Sequence, residues 1–296
     1  MRILNLISYA KLNLYLKVLN KRSDSYHSIF TLFERVSLAD RIRLQLLPKR
    51  KIRILSSESY LPLGRNNLVY QAASLLQREC SINKGVQINI IKHIPISAGL
   101  GGGSSNAAVV FSGLNQLWNL KLGVKQLVAF ARQIGSDIPF FLYNCSFACG
   151  TSRGDEIKVL RLPGRLWHII VVPRVEIRSF LIYKKWDEMS HSDRRSLTGL
   201  TNQQRVIRIL KQALLTKDIL LTKLLFNSLE KVSKAMFPVI SKVESSLSDL
   251  GIEAISMSGS GPAVFGLVPS RKEAYAAARK LKRKLRNCDV FVAKTV

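Results

Sequence analysis

Between Pro95 and Ala108 the chain reads PISAGLGGGSSNAA, in which Gly99, Gly101, Gly102 and Gly103 run directly into Ser104 and Ser105. Glycines this close together let the backbone take positive φ and approach a ligand with no Cβ in the way. Upstream, Val86, Ile88 and Ile90 alternate with Gln87, Asn89 and Ile91, the period of a strand that should stop by Pro95. Downstream, Ala107, Ala108, Phe111, Leu114 and Leu117 recur at helical spacing, with Ser104 or Ser105 placed to cap the first free amides. A glycine run that opens a helix points amides and the positive end of the helix dipole into one concavity, which suits an anion such as a triphosphate. The simpler alternative is a flexible turn ahead of a helix. Two commoner phosphate loops do not fit. Gly103 is not followed by Lys and then Ser or Thr, as a Walker loop requires, and the third glycine of a dinucleotide fingerprint is replaced by Ser104.

Other residues have types and positions that allow chemistry. Leu12, Leu14, Leu16 and Val18 alternate with Lys11, Asn13, Tyr15 and Lys17, so Lys11 and Asn13 share one strand face, either reaching a substrate or simply half exposed. Tyr26 and His27 lie in the turn-like stretch Lys21 to Ser28, where an aromatic ring and an imidazole can stack on or hydrogen-bond a base. Asp137, in GSDIPFF, stands between a helix end and the apolar Ile138, Pro139, Phe140 and Phe141. It either caps a short helix near Pro139 or holds a partly desolvated carboxylate ready for proton transfer. The loop Ser258, Gly259, Ser260, Gly261, Pro262 is either a glycine hairpin or a second set of amides closing a phosphate site.

The elements that must position these residues read as strands at 28–36, 41–47 and 52–55, then a helix bearing Leu68, Ala72, Leu75 and Leu76, with Asn66 and Asn67 as candidate caps. A helix through Leu127, Phe130, Ala131 and Ile134 precedes Asp137, and a strand over Glu156 to Leu160 follows it. A domain boundary is expected around Pro163 to Arg165, dividing residues 1–162 from 163–296. Beyond it come a strand at 168–172, helical segments to about Asn227, a helix from Phe237 to Leu250, strands at 253–257 and 263–267, a helix over Arg271 to Arg286 and a strand at 289–294. Strand, helix, strand, strand, helix, strand is the order of a ferredoxin-like βαββαβ sandwich.

Composition narrows the class. With 47% apolar and 22% charged residues over 296 positions the chain is globular and long enough for two domains. No apolar run approaches the roughly 18 residues of a membrane span, and the N-terminus is too polar for a signal peptide, so a cytoplasmic location is expected. Cys80, Cys145, Cys149 and Cys288 are too scattered for a disulfide framework, and His27, His93, His168 and His191 lack zinc spacing, so no protein-held metal is expected. The 46 Lys and Arg against 19 Asp and Glu give +27, which attracts anions generally. The basic run over 271–286 reads as a solvated helix face built on Ala276, Ala277, Leu281 and Leu285. It carries few aromatic residues for stacking on bases, so nucleic acid is not the expected partner.

The pattern Pro-x-x-x-Gly-Leu-Gly-Gly-Gly-Ser-Ser resembles the phosphate loop of the GHMP kinases. Within that superfamily YAKLNLYLKV, SDSYHSIFTLFERV, GLGGGSSNAA, GSDIPFF, FNSLEKV and ISMSGSGPAVF resemble the motifs of the kinases that act on 4-diphosphocytidyl-2-C-methyl-D-erythritol, across most of the chain. Ser25 and Ser136 stand where that family usually has Gly and Ala, and Tyr183 and Ser179 where it often has Phe and Thr.

The resemblance implies an α+β, two-domain fold, an N-terminal α/β domain of ribosomal-protein-S5 type plus the ferredoxin-like C-terminal domain. It implies transfer of phosphate from ATP, with Mg²⁺, to a small-molecule acceptor, the cytidine diphosphate-linked methylerythritol of the non-mevalonate isoprenoid route. Asp137 would be the base and Lys11 its partner, and Asn13 would hold the attacking hydroxyl. Tyr26, His27, Ser179, Tyr183 and Gly259 would contact the acceptor, with the two aromatic side chains and His27 enclosing the cytosine. Pro95, Ile96, Ser97, Ala98, Gly99, Leu100, Gly101, Gly102, Gly103, Ser104, Ser105 and Asn106 would wrap the ATP phosphates, with Asn66 and Asn67 beside the adenine and Ser105 available to the magnesium shell. A homoserine- or mevalonate-type kinase is the neighbouring alternative, and a basic nucleic-acid-binding module the distant one.

Overall fold

The computed structural model describes residues 2–162, 164–189, 194, 203–216 and 224–296. Two sheets organise it. The larger contains β1 (Ile3–Lys21), β2 (His27–Leu47), β3 (Ile52–Ser56), β4 (Gly85–Ile91), β5 (Phe147–Thr151), β6 (Glu156–Leu160) and the short β8 (Phe226–Asn227). Its order is β3-β4-β2-β1-β8, and β5, followed by β6, joins the same edge of β2 that β4 uses further along. Two strands were expected within 28–47, but β2 is continuous. A slip in register beside Tyr9 and Ala10, where Val36 and Ala39 are successive partners, bends it and lets its two halves take different neighbours. β1 likewise departs from the expected pattern. From Ala10 to Leu16 every residue is buried, so Lys11 and Asn13 lie on a covered face.

One face of this sheet carries α1 (Leu68–Glu79), α2 (Gly102–Leu117), α3 (Val124–Ala131) and α4 (Ile138–Leu142). Phe111, Leu114 and Leu117 of α2 pack there with Leu44, Ile88 and Phe140. The second sheet comprises β7 (Trp167–Pro173), β9 (Ile255–Met257), β10 (Val264–Val268) and β11 (Cys288–Lys294), in the order β11-β7-β10-β9, all antiparallel. In chain order the strands lie 4-1-3-2, as the ferredoxin-like expectation requires. Against it lie α5 (Ser179–Glu188), α7 (Glu230–Met236), α8 (Val239–Ser248) and α9 (Arg271–Lys284), with α6 (Gln203–Thr216) packed between the sheets. The expected helix from Phe237 to Leu250 begins at Val239, after Pro238. In α9 the buried stripe is Ala274, Ala278 and Leu281; of the expected stripe Leu281 is buried, while Ala276, Ala277 and Leu285 are only half-buried. Pro163 and much of the stretch before Leu224 lie outside the described residues.

A single core joins the two sheets. Ala10, Leu12 and Leu14 of β1 pack with Ile170, Val172, Phe265 and Ala293 of the second sheet. A polar link crosses the same seam, where His168 Nε2 lies 2.9 Å from Glu34 Oε1 and the Thr295 hydroxyl donates to that oxygen at 2.6 Å. No helix among the described residues is long and apolar enough to cross a membrane.

Candidate active site

The free edge of β1 is the frame of the site. Lys11 N–H donates to Leu100 O at 3.0 Å, Asn13 N–H donates to Ser258 Oγ at 3.2 Å, and Tyr15 and Leu16 then pair with β8. The glycine loop, the SGSGP loop and β8 therefore occupy successive stations along one strand. Asn227 fixes the middle station from below, donating through Nδ2 to the carbonyls of Met257 (2.8 Å) and Gly259 (2.7 Å). Ser258 Oγ donates to Gly99 O at 3.0 Å, and Ala263 N–H to Ala98 O at 3.2 Å, so the two loops are laced together. Gly99 and Gly101 take positive φ of 77° and 68°. A Cβ on Gly99 would meet Ser258 O at 2.1 Å, which is why only glycine allows that approach.

The helix begins earlier than its serines predicted. Gly101, in the left-handed region, is the N-cap of α2, and Gly102 and Gly103 form its first turn, so Ser104 and Ser105 are not caps. Helix geometry leaves the amides of Gly102, Gly103 and Ser104 without carbonyl partners, facing the cavity their residues line. Ser105 is buried and accepts from the Ser8 hydroxyl at 2.7 Å. It does not line the cavity, so its expected part in a magnesium shell is not supported. Among the described residues no three of His, Cys, Asp and Glu converge to hold a metal ion.

One cavity of about 820 Å³ collects nearly every expected site residue: Lys11, Asn13, Tyr26, His27, Asn67, the stretch from Pro95 to Ser104, Asn106, Asp137, Ser179, Tyr183 and Gly259. Besides Ser105, only Asn66 falls outside. It is exposed, and Asn67 alone caps α1, its Oδ1 accepting from Val69 N–H at 2.9 Å. Asn106 reaches the wall but spends its amide on Asp40 Oδ2, at 2.9 Å.

Asp137 precedes α4, with Pro139 in the first turn, yet its side chain makes no capping bond. Instead its Oδ2 lies 3.7 Å from Lys11 Nζ, so of the two readings open in the sequence the geometry favours the free carboxylate. Lys11 Nζ also donates to Asn13 Oδ1 at 2.5 Å, while Asn13 Nδ2 donates to Thr31 Oγ1 at 2.8 Å. Burial lowers the Lys11 pKa from its usual value, and the charge and hydrogen bond of Asp137 oppose that shift. The Tyr183 hydroxyl is pushed up, by burial first and by the negative charge of Asp137 second.

Several residues of this wall were not legible in the sequence. Lys92 lines the cavity beside Gly102 and forms a buried ion pair with Asp40 Oδ2. Asp40 Oδ1 in turn accepts from the amides of His93 (2.7 Å) and Ile94 (2.8 Å), tying β2 to the segment that leads into the glycine loop. The available signals were a lysine three residues before Pro95 and a lone acid in the basic stretch 35–43. Phe180, 61% exposed, and Asp187 also line the cavity.

A left-handed glycine loop opening a helix, laced to a second loop and facing a lysine–aspartate pair, defines a small-molecule kinase site on this two-sheet frame. Residues 67–145 match the GHMP kinases N terminal domain, and residues 209–287 the GHMP kinases C terminal domain. A 4-diphosphocytidyl-2-C-methyl-D-erythritol kinase of Bacillus cereus is 39% identical over 261 residues, covering 88% of this chain and 86% of the relative. The enzyme of that name from Bacillus velezensis is 37% identical over the same shares. A crystal structure of a 4-(cytidine 5'-diphospho)-2C-methyl-D-erythritol kinase superposes with a TM-score of 0.81 at 32% identity, covering 98% of each chain. The chain belongs to the 4-diphosphocytidyl-2-C-methyl-D-erythritol kinase family of the GHMP kinases, enzymes that use ATP to phosphorylate small molecules.

Proposed function

We propose that this chain transfers the γ-phosphoryl group of ATP to the 2-hydroxyl of 4-diphosphocytidyl-2-C-methyl-D-erythritol, a step of the non-mevalonate isoprenoid route. The observation that carries the reading is the 3.7 Å approach of Lys11 to Asp137 in the cavity that the glycine loop also lines. A tertiary alcohol is a weak nucleophile, and a carboxylate that accepts its proton as the new O–P bond forms is the usual remedy. Asp137 is that acceptor, while the bond from γ-phosphorus to its bridging oxygen breaks and ADP leaves. Lys11, held by Asn13, sets a positive charge beside Asp137 and has its remaining N–H groups for the reacting oxygens. Charge on the transferring group is met by the free amides at the start of α2 and by the helix dipole.

Magnesium, which would neutralise phosphate charge when bound, is proposed to arrive with the nucleotide on phosphate oxygens and water. Tyr26, His27, Ser179, Tyr183 and Gly259 form the acceptor side, and the stretch from Pro95 to Ser104 with Asn67 the ATP side, supported by their place in one cavity. Residues 1–162 are read as the ATP-binding unit and 163–296 as the ferredoxin-like unit, in keeping with the second sheet's beginning at Trp167. A cytoplasmic setting accords with this role. The test is ATP consumption by the purified chain with the cytidyl substrate, homoserine and mevalonate offered in parallel. Turnover confined to the cytidyl substrate is the expected result, and turnover of either other acceptor alone would refute the assignment.

A further inference from the structure

The wall that carries Tyr26 and His27 holds a second set of charges that phosphoryl transfer does not use. His27 opens β2, opposite Lys21 at the end of β1. Its Nε2 lies 2.6 Å from Asp187 Oδ1, and the other oxygen of Asp187 accepts from Lys21 Nζ, also at 2.6 Å. Tyr183 stacks on the imidazole with ring centroids 4.9 Å apart and planes 23° from parallel. Tyr183 and Asp187 are four residues apart on α5, so one helix face presents a ring to the flat side of His27 and a carboxylate to its edge.

This arrangement leaves the imidazole little freedom. Its side chain is 6% exposed, and Nδ1 has no hydrogen-bond partner among the described residues. Asp187 is held below the usual carboxylate range. Burial pushes it up, but hydrogen bonds from Lys21 and His27 outweigh that push. An ionised carboxylate only accepts, so Nε2 must carry a hydrogen, and whenever the ring is neutral its bare lone pair lies at Nδ1. A lone pair facing a pyrimidine attracts the exocyclic amine of cytosine and repels the carbonyl oxygen that uracil carries at the same position.

We infer that Asp187, braced by Lys21, is a positioning residue that fixes the tautomer of His27 and thereby makes the site select an amino-bearing pyrimidine. The inference rests on the reading of the acceptor as a cytidyl compound. It assigns the base discrimination to a residue pair that need not touch the base.

The experiment uses the full chain with ATP and compares the cytidyl substrate with its uridyl analogue. Wild type should favour the cytidyl compound. Asp187→Asn offers Nε2 either an acceptor or a donor and so frees the tautomer. The ratio of kcat/KM values should fall about tenfold or more, as expected when a base-reading hydrogen bond is mismatched. The loss should appear in KM for the cytidyl substrate, with KM for ATP unmoved. A purely structural role would lower turnover of both substrates alike and leave their ratio unchanged, which would overturn the inference. Nitrogen-15 NMR of the wild-type imidazole decides independently of how well the variant folds: the neutral ring must carry its proton on Nε2, and a proton on Nδ1 alone would also overturn it. Absence of wild-type turnover with the cytidyl substrate would instead remove the acceptor assignment, and this selectivity with it. Normal wild-type turnover with unchanged selectivity in Asp187→Asn removes only the role of Asp187.

Discussion

Lys11 and Asp137 approach to 3.7 Å with unequal burial, the lysine side chain being 4% exposed and the aspartate side chain 35%. The cation is therefore the desolvated member, and its pKa lies below the ordinary 10.5. A lysine with a lowered folded pKa loses its proton as pH rises through that lower value, and with it the charge that supports Asp137. The kcat profile should fall on its alkaline limb below pH 10.5, and Lys11→Met should abolish that limb together with most of the rate. A wild-type profile flat to pH 10.5 would contradict this.

Asp137→Asn removes the proton acceptor without enlarging or emptying the site. Turnover should drop by roughly 10² to 10⁴ while equilibrium binding of ATP stays nearly unchanged. The carboxylate makes no capping bond, but its loss leaves buried Lys11 without its charge partner, so some loss of stability should accompany the loss of turnover. Full turnover in the variant would remove Asp137 as the base.

Two glycines of the loop should respond in opposite ways to alanine. Gly99→Ala puts a Cβ against Ser258 O and demands a positive φ, so it should cost about 1–3 kcal/mol and unlace the two loops. Gly103→Ala meets nothing closer than 3.7 Å inside a helical turn, and should hold or raise stability by about 0.5–1 kcal/mol. Thermal unfolding of the pair checks the order, and the reverse order would refute the loop geometry.

Ser105→Ala separates a structural hydroxyl from a metal ligand. The lost bond to Ser8 should cost about 1 kcal/mol of stability. The magnesium concentration for half-maximal activity should not change. A marked rise in that concentration would place Ser105 in the metal shell after all.

Local signals carried much of this site. The strand before Pro95, the small-residue helix after Gly103, the shared face of Lys11 and Asn13 and the cap at Asn67 are all encoded within a few residues of themselves. What escaped depends on distant pairing. Nothing near Ser105 tells that Ser8 waits for its hydroxyl, and nothing near Asp40 announces Lys92, His93 and Ile94. The continuity of β2 depends on a slip in register against β1, invisible in either strand alone. Asp187 meets Lys21 and His27 only because α5 folds back over the first hairpin. The choice at Asp137 between cap and free carboxylate was undecidable from spacing, since both uses put an acid ahead of a proline.

The strand that bears Lys11 and Asn13 is paired along one edge, occupied at three stations along the other, and covered on both faces from Ala10 to Leu16. By contrast Tyr26 is 55% exposed in a surface turn, and Phe180 sits at the exposed start of α5. Selection on acceptor preference can therefore work on a pliable margin while the transfer apparatus stays rigid. That division gives a physical reason why kinases sharing this architecture can diverge in what they phosphorylate without reinventing how.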